Sequence, residues 1–407
     1  MSSLASVVHG AACLVLGPHS DDAIEIVEDG AVAIADSQIV ASGSTETVTR
    51  EYPPENAAVS IDAAGKTVLP GFVDAHTHAV FAGDRADEFE ARLQGVSYQE
   101  LLAAGGGILR TVEAVRMATV EDLTDNLLQV LDTMLAHGAT TVEVKTGYGL
   151  DTESEIRMLK AIDAADHAHP IDLISTFLGA HAVPPELDQR GYVDHVIEEQ
   201  LPAVVETGLA EFGDVFCDEG AFTIEESRAI LEAIDATGLG TKIHADEFTR
   251  LGGARLAAEV GAVSADHLLQ STEEDAKILA SAGVVPVLAP GTAFTLGMDY
   301  ADAAMFIDVG AWPALASDFN PNCHLQSMVA AIQFACHGMG MTPAAAIRGA
   351  TVEAARSVGR ADEVGHLREG AIGDLVVADV PSHVHLAYQF GTNHVSKVIK
   401  GGNLVHG

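Results

Sequence analysis

The sequence predicts an α/β fold, a (β/α)8 barrel with a small β-sandwich domain built from both chain ends, and three observations predict it. At 407 residues the chain is longer than a usual single domain, so a large unit with a smaller companion is expected. From Gly71 to about Ser317, apolar runs end in polar residues and are each followed by a helical pattern, the alternation that a parallel sheet produces. The chain before Gly71 and the tail share another texture, short β pieces broken by Asp, Ser and Gly turn residues.

The N-terminal pieces include Ala31–Ile34 and Ile39–Ser42. The barrel runs that follow are Gly71–His76, Thr140–Lys145, Ile171–Gly179, Glu211–Cys217, Thr241–His244, Ala262–Asp266, Val284–Leu288 and Pro313–Ser317, the eight of a TIM-like barrel. Thr119-x-x-Asp122 reads as a capping box. It opens a helix with Leu123, Leu127, Leu131 and Leu135 on one face and a stop near Gly138. Ser271-x-x-Glu274 opens another, closing near Gly283. The stretch from Ala79 to about Val112 is long for one connection and carries Gly105-Gly106-Gly107, so it is expected to project over the barrel mouth. Thr342–Gly359 reads as helix, and Asp374–Ala378 and Val395–Ile399 as returning strands. The expected division is residues 1–70 with 360–407 as the composite β domain and 71–359 as the barrel.

Acidic residues number 59 against 21 basic ones, a formal charge of -38. Such a surface repels nucleic acid and anionic membranes, leaving a small molecule as the expected partner. Self-repulsion of that size is screened within roughly 3 Å at 1 M salt, which points to a halophilic setting. Cys13, Cys217, Cys323 and Cys336 show no C-x-x-C spacing, so neither a zinc knuckle nor a disulfide framework is expected. With no export signal or long apolar span, the expected location is a reducing cytoplasm.

The sharpest chemical signal is Asp74-Ala75-His76-Thr77-His78 at the end of the first barrel run. A strand's period of two sends His76 and His78 to the same side, where two imidazoles can grip one metal ion. Further ligands must come from the ends of other strands, where barrel enzymes assemble their sites. His244 ends the fifth run, His267 follows the sixth, and Asp318 follows the eighth. Arg85, just beyond the metal motif in a chain poor in bases, is the candidate for a substrate carboxylate.

This pattern resembles the amidohydrolase superfamily, which implies His76, His78, His244 and Asp318 as metal ligands, with His267 orienting the attacking water or the substrate carbonyl. No lysine stands in the fourth run, which favours one metal ion, although Glu219 leaves a bridging ligand open. The ion is expected to be zinc or iron. Other motifs narrow the resemblance. Pro70-Gly71-Phe72-Val73, Phe81-Ala82-Gly83-Asp84-Arg85, Gly95-Val96-Ser97-Tyr98, Lys145-Thr146-Gly147-Tyr148-Gly149, Phe177-Leu178-Gly179-Ala180-His181, His244-Ala245-Asp246-Glu247-Phe248 and Asp318-Phe319-Asn320-Pro321 are similar, in that order, to the amidohydrolases that open an imidazolone ring in histidine degradation.

That resemblance implies hydrolysis of 4-imidazolone-5-propanoate to N-formimidoyl-L-glutamate, with Asp318, His267 and Glu247 catalytic. It also implies Arg85, Tyr98, Tyr148, His181, Glu247 and Asn320 as substrate contacts, and a homodimer. After Pro321 the chain has Asn322-Cys323 where that family usually has Gly followed by Ser or Thr, so Asn322 and Cys323 replace its usual contacts there. Two other functions remain open at this stage: an amidohydrolase deaminase of a purine or pyrimidine, which would use the same His and Asp set, and a catalytically silent barrel serving as a structural module.

Overall fold

The computed structural model describes residues 4–18, 23–96 and 106–407. Seven strands precede the barrel: β1 (Leu4–Ala11), β2 (Cys13–Gly17), β3 (Glu25–Val27), β4 (Gly30–Ala35), β5 (Gln38–Ser44), β6 (Val59–Asp62) and β7 (Thr67–Pro70). The barrel strands are β8 (Phe72–Asp74), β9 (Ala139–Lys145), β10 (Asp172–Ala180), β11 (Phe212–Cys217), β12 (Gly240–Ala245), β13 (Ser264–His267), β14 (Val285–Leu288) and β15 (Ala314–Leu315). The tail adds β16 (Leu375–Ala378), β17 (Val395–Lys400) and β18 (Asn403–His406).

Strands from both chain ends build two sheets, ordered β5-β4-β1-β6 and β18-β17-β16-β7-β2-β3. Their inner faces meet in an apolar core of Val8, Leu14, Val32, Ile34, Val68, Leu375, Val377 and Ile399, which is the sandwich the alternating strands call for. A single residue, Gly71, links this unit to the barrel between β7 and β8. A Cβ there would stand 2.2 Å from the Thr140 hydroxyl, so the close packing of this link against β9 favours glycine. The N-terminal region also carries a short helix, Thr45–Glu51, started by the Ser44 hydroxyl accepting from the Thr47 N–H, where the sequence pattern predicts only strands.

The eight parallel strands run in sequential order from β8 to β15. They come back to β8 through a bridge between Thr77 and Phe319, with the Asp318 N–H donating to the His76 carbonyl at 3.1 Å and the His78 N–H to the Phe319 carbonyl at 2.8 Å. The His76-Thr77-His78 motif and the strand-eight aspartate therefore meet at the seam that closes the barrel. Each predicted run falls on an observed strand within a few residues, the last being shortest.

Helices cover the outside. The Thr119–Asp122 capping box is present and opens helix Val120–Ala136, whose Leu123, Leu127, Leu131 and Leu135 are buried as the period requires. The second box sits one residue further on than expected. Thr272 and Asp275, not Ser271 and Glu274, exchange the capping bonds, because Ser271 instead turns its hydroxyl to Asp246. The predicted helix at 342–359 is a helical segment interrupted by a π turn at Gly349–Glu353, and β18 was not foreseen. Within 79–112 the described residues form helix Ala86–Leu93 and the start of helix Ile108–Met117. Ser97, Tyr98 and Gly105 lie outside the described residues.

Inside the barrel, side chains stack in layers. Val73, Ile174, Phe212, Val285 and Ala314 form an apolar floor closed by Ala354, Ala355 and Val358. Above it, Glu143 and Lys145 of β9, Asp214 of β11, Lys242 of β12 and Asp266 of β13 are all buried. Contacts among β9, β11 and β13, which are not neighbours in the sheet, can only be made across the barrel interior. The histidines lie above this charged layer.

Candidate functional site

Four imidazoles and one carboxylate converge at the C-terminal ends of the barrel strands. The His78 Nε2 lies 3.3 Å from the Nε2 of His76 and 3.3 Å from the Nε2 of His244. Asp318 places Oδ1 3.7 Å from the Nε2 of both His76 and His78. His76, His244 and His267 form a second, overlapping group whose nitrogens are close enough to share an ion. Every one of these side chains is buried.

Three ring nitrogens that face one another without an acceptor between them are unfavourable unless a cation lies among them. Metal–nitrogen bonds of about 2.0–2.1 Å at tetrahedral angles separate two ligand nitrogens by about 3.3 Å, which matches the spacing found here. The donor set therefore fits a metal ion. Burial, reinforced by neighbouring cationic groups, pushes His76 and His78 well below the usual imidazole range, leaving both neutral with lone pairs to offer.

The opposite edge of two rings is fixed by carboxylates. The His76 Nδ1 donates to Asp266 Oδ2 at 2.6 Å, and the His244 Nδ1 lies 3.1 Å from Asp214 Oδ2, off the ideal axis. For His244, burial lowers the pKa, but Asp214 outweighs it and leaves the group above its ordinary value. Such partners set the tautomer so that Nε2 faces the site. Neither Asp214 nor Asp266 was singled out from the sequence. The available signal for Asp266 was its place directly before His267, in register with His244, whereas Asp214 stands on β11, which carries no residue of the cluster, and offered none.

Asp318 is held from two sides. The Thr292 hydroxyl donates to its Oδ2, and the Asn320 amide donates to its Oδ1 at 3.0 Å and its main-chain carbonyl at 2.8 Å. Asn320 in turn accepts from the N–H groups of Asn322 and Cys323. In this structure Asn320 thus braces Asp318. Cys323 is wholly buried with its thiol toward the Ser317 carbonyl at 3.8 Å, and burial pushes that thiol up to about 11.

His181 stacks on His78 with ring centroids 4.8 Å apart, and Tyr148 lies 5.3 Å from His181 and 5.8 Å from His78, so both wall the cluster. Burial draws His181 down to about 3, keeping it neutral. Tyr148 is placed there by Glu155, whose carboxylate accepts from the N–H groups of Gly147, Gly149 and Leu150 at 3.0, 2.8 and 2.9 Å. At Gly147, with φ of 104°, a Cβ would lie 2.9 Å from the His181 ring, so glycine lets the two walls meet.

Glu247 has an oxygen 3.9 Å from the His267 Nδ1, and burial raises its pKa. Its loop is pinned by Asp218, which accepts from the N–H groups of Glu247, Phe248 and Thr249. Arg85 caps the Ala86–Leu93 helix region and pairs with Glu88 at 2.9 Å, while Glu88 also accepts from the Gly107 N–H. No hydrogen bond or ion pair among the described residues joins Arg85 to the histidine cluster. Tyr98 lies outside those residues, and Glu219 is exposed on the loop after β11.

Backbone strain concentrates at this end of the barrel. Leu150, Asp246, His267, Leu268 and Asp318 all take positive φ, between 47° and 77°, a conformation that costs about 1–3 kcal/mol per non-glycine residue and collects at functional sites.

An eight-stranded parallel barrel with a His/Asp cluster at its C-terminal mouth is the build of a metal-dependent hydrolase, and residues 67–405 match the amidohydrolase family, to which the chain belongs. Its relatives narrow this to the imidazolonepropionases. The chain is 58% identical to the imidazolonepropionase of Haloarcula marismortui over 406 residues, covering 100% of this chain and 97% of that protein. It is 57% identical to that of Halobacterium salinarum, covering 100% and 99%, and 49% identical to that of Geobacillus kaustophilus, covering 97% and 94%. Among solved structures, an adenosine deaminase from Xanthomonas campestris with bound zinc superposes with a TM-score of 0.73 at 18% identity, covering 99% of this chain and 93% of that one. An atrazine chlorohydrolase from Arthrobacter aurescens complexed with zinc gives 0.76 at 16% identity, covering 98% and 95%. At those identities the structures speak for the fold alone. Among the described residues no helix is long and apolar enough to cross a membrane.

Proposed function

We infer that this protein hydrolyses the ring carbon–nitrogen bond of 4-imidazolone-5-propanoate to N-formimidoyl-L-glutamate, a step of L-histidine degradation. The observation that carries this reading is the convergence of His76, His78, His244 and Asp318 in a chain 58% identical to an imidazolonepropionase.

His76, His78, His244 and Asp318 would hold one metal ion, zinc or iron; zinc accompanies two of the structural neighbours. When bound, the ion supplies a water acidified to a pKa of about 7 and a Lewis acid for the ring carbonyl. Asp318 Oδ1, held by Asn320, takes the proton of the attacking water and returns it to the ring nitrogen as the carbon–nitrogen bond breaks. The carbonyl carbon takes the water oxygen and becomes a carboxylate, the freed ring nitrogen ends in the formimidoyl group, and both remain in one opened product. His267 donates to the carbonyl oxygen as charge gathers there, and Glu247 orients the ring. Tyr148 and His181 wall the ring, Asn320, Asn322 and Cys323 lie on the loop after β15, Arg85 meets the propionate, and Tyr98 is proposed as a further substrate contact.

The same proposal covers the setting. The protein is placed in the cytoplasm, the excess of acidic residues supports work at high salt, and exposed Phe294 and Phe390, which both pack against Phe334, support a homodimer. Residues 1–70 with 360–407 form one domain and 71–359 the other, although helix His383–Tyr388 of the tail packs on barrel helix Met328–Gly338 through Gln333.

The test is to mix metal-loaded protein with freshly prepared imidazolone propanoate at high salt, follow its ultraviolet loss, and identify the product by mass. Formimidoylglutamate is expected. A protein that leaves the ring intact but releases ammonia from nucleobases would overturn the assignment in favour of deamination.

A further inference from the structure

The charged layer beneath the histidines takes no part in the steps above, yet it holds the most costly groups of the interior. Lys145, Glu143, Asp214 and Asp266 are at most 1% exposed. Replacing such buried ion clusters by apolar side chains is often neutral or stabilising, so their presence calls for a purpose other than stability. The Lys145 Nζ lies 2.8 Å from Glu143 Oε1, 2.8 Å from Asp214 Oδ2 and 3.6 Å from Asp266 Oδ2. In both aspartates the oxygen that faces the ammonium is the one that faces a histidine: Asp214 Oδ2 meets His244, and Asp266 Oδ2 meets His76.

We propose that Lys145 is a positioning residue for the metal centre, its ammonium tying together the two carboxylates behind His244 and His76 and so fixing the aim of both imidazoles. The proposal rests on reading the cluster as a metal centre. Two relays of the same form, histidine to aspartate to lysine, start on different strands and end on one nitrogen. Without the cation, three carboxylates would crowd one dry space and repel. Lysine suits the task because a compact ammonium has three donors for three carboxylates, whereas a planar guanidinium does not fit that arrangement. Burial alone would strip its proton, but Asp214, Glu143 and Asp266 outweigh that and hold it charged.

The interior supplies its own reference. Lys242 is equally buried, but its Nζ donates to the Ser357 carbonyl at 3.0 Å and lies over the Phe212 ring, toward the floor. Its one ion-pair partner among the described residues is Glu143, at 3.9 Å. A merely structural buried lysine should behave as Lys242 does.

The experiment measures equilibrium zinc affinity by competition with a chromophoric chelator, on full-length protein shown to be folded by circular dichroism. Losing a direct outer partner of a ligand usually costs about 10–100-fold, so Lys145→Met, which loosens two such partners at once, is expected to lower that affinity about 10-fold, while Lys242→Met stays within about threefold of wild type. Asp266→Asn should weaken binding too, and the double variant Lys145→Met/Asp266→Asn should lose less than the two single losses multiplied, because one relay is being cut twice. Wild-type affinity in folded Lys145→Met, or full multiplication in the double variant, would overturn the proposal. Should Lys145→Met not fold, the comparison is made on the Glu143→Gln background, which removes one of the charges the ammonium neutralises. There an unchanged affinity on adding Lys145→Met overturns the proposal, and a drop supports it. A wild-type protein that binds no metal would instead refute the metal reading itself.

Discussion

The sandwich and the barrel bury interiors of opposite character in one chain. Between the two sheets lie Val8, Leu14, Val32, Ile34, Val68, Leu375, Val377 and Ile399, an apolar core. Fully burying each such side chain contributes about 1.5–3 kcal/mol, and no partner is needed. The barrel keeps an apolar floor but fills its middle with Glu143, Lys145, Asp214, Lys242 and Asp266 and its mouth with histidines. Charges there need one another, since a lone buried ion costs several kcal/mol. The strained backbone divides in the same way: in the sandwich the positive-φ non-glycine residues Asp29, Asp36 and Ser37 sit in turns, whereas in the barrel Asp246, His267 and Asp318 sit on the site. One interior is built to be stable and the other to hold reactive groups at fixed distances.

This contrast can be broken most forcefully at His76. His76→Ala removes a proposed metal ligand, and metal content and turnover should vanish together; a metal ion contributes several kcal/mol to a hydrolytic transition state, so the loss is about three decades in rate or more. Metal analysis alongside the activity assay checks it, and an active metal-free variant would defeat the account. Leu375→Ala, in the sandwich, should lower the unfolding free energy by about 2–5 kcal/mol in denaturant titration while metal stoichiometry and KM stay put. A lost metal in that variant would mean that the two interiors are not independent.

Arg85→Ala sharpens the mouth itself. Removing a charged donor to a carboxylate costs about 1.5–3 kcal/mol, so KM for the propanoate substrate should rise about 10–100-fold with metal content unchanged. A normal KM would leave Arg85 as the partner of Glu88 and nothing more. The smallest effect is expected outside both interiors, at the Thr272–Asp275 cap. Burial raises the Asp275 pKa, but the Thr272 bonds and Arg250 outweigh it and leave the carboxyl below its ordinary value. A lowered folded-state pKa gives stability that is present above the unfolded value and lost as pH falls through the folded one. Asp275→Asn should therefore cost about 1 kcal/mol at neutral pH, with the gap to wild type closing in acid.

Much of the fold was legible because period and punctuation survive in the sequence. Short β pieces between turn residues gave the end strands, apolar runs ending in polar residues gave those of the barrel, and the Thr119 box fixed a helix start to the residue. The second box slipped because Ser271 and Thr272 are both capable caps, and only the tertiary pull of Asp246 on Ser271 decides between them. The residues that converge at the mouth were legible because histidines at strand ends are rare and regular. Lys145, Asp214 and Asp266 were not, since a charged residue within a strand reads as facing solvent, and only the closed barrel turns that face inward. The pairing of Arg85 with Glu88 was likewise out of reach, because the sequence does not tell which acid an arginine will choose.

The central claim, that the charged interior exists to hold a metal ion that ring opening needs, is tested most directly by a removal-and-return cycle on one preparation at high salt. Turnover of 4-imidazolone-5-propanoate is measured before chelation, after chelation and dialysis, and after adding back zinc or ferrous iron. The account predicts loss of formimidoylglutamate formation with the metal and its recovery on return of one equivalent, with the fold retained throughout. Undiminished turnover by folded, metal-free protein would contradict it.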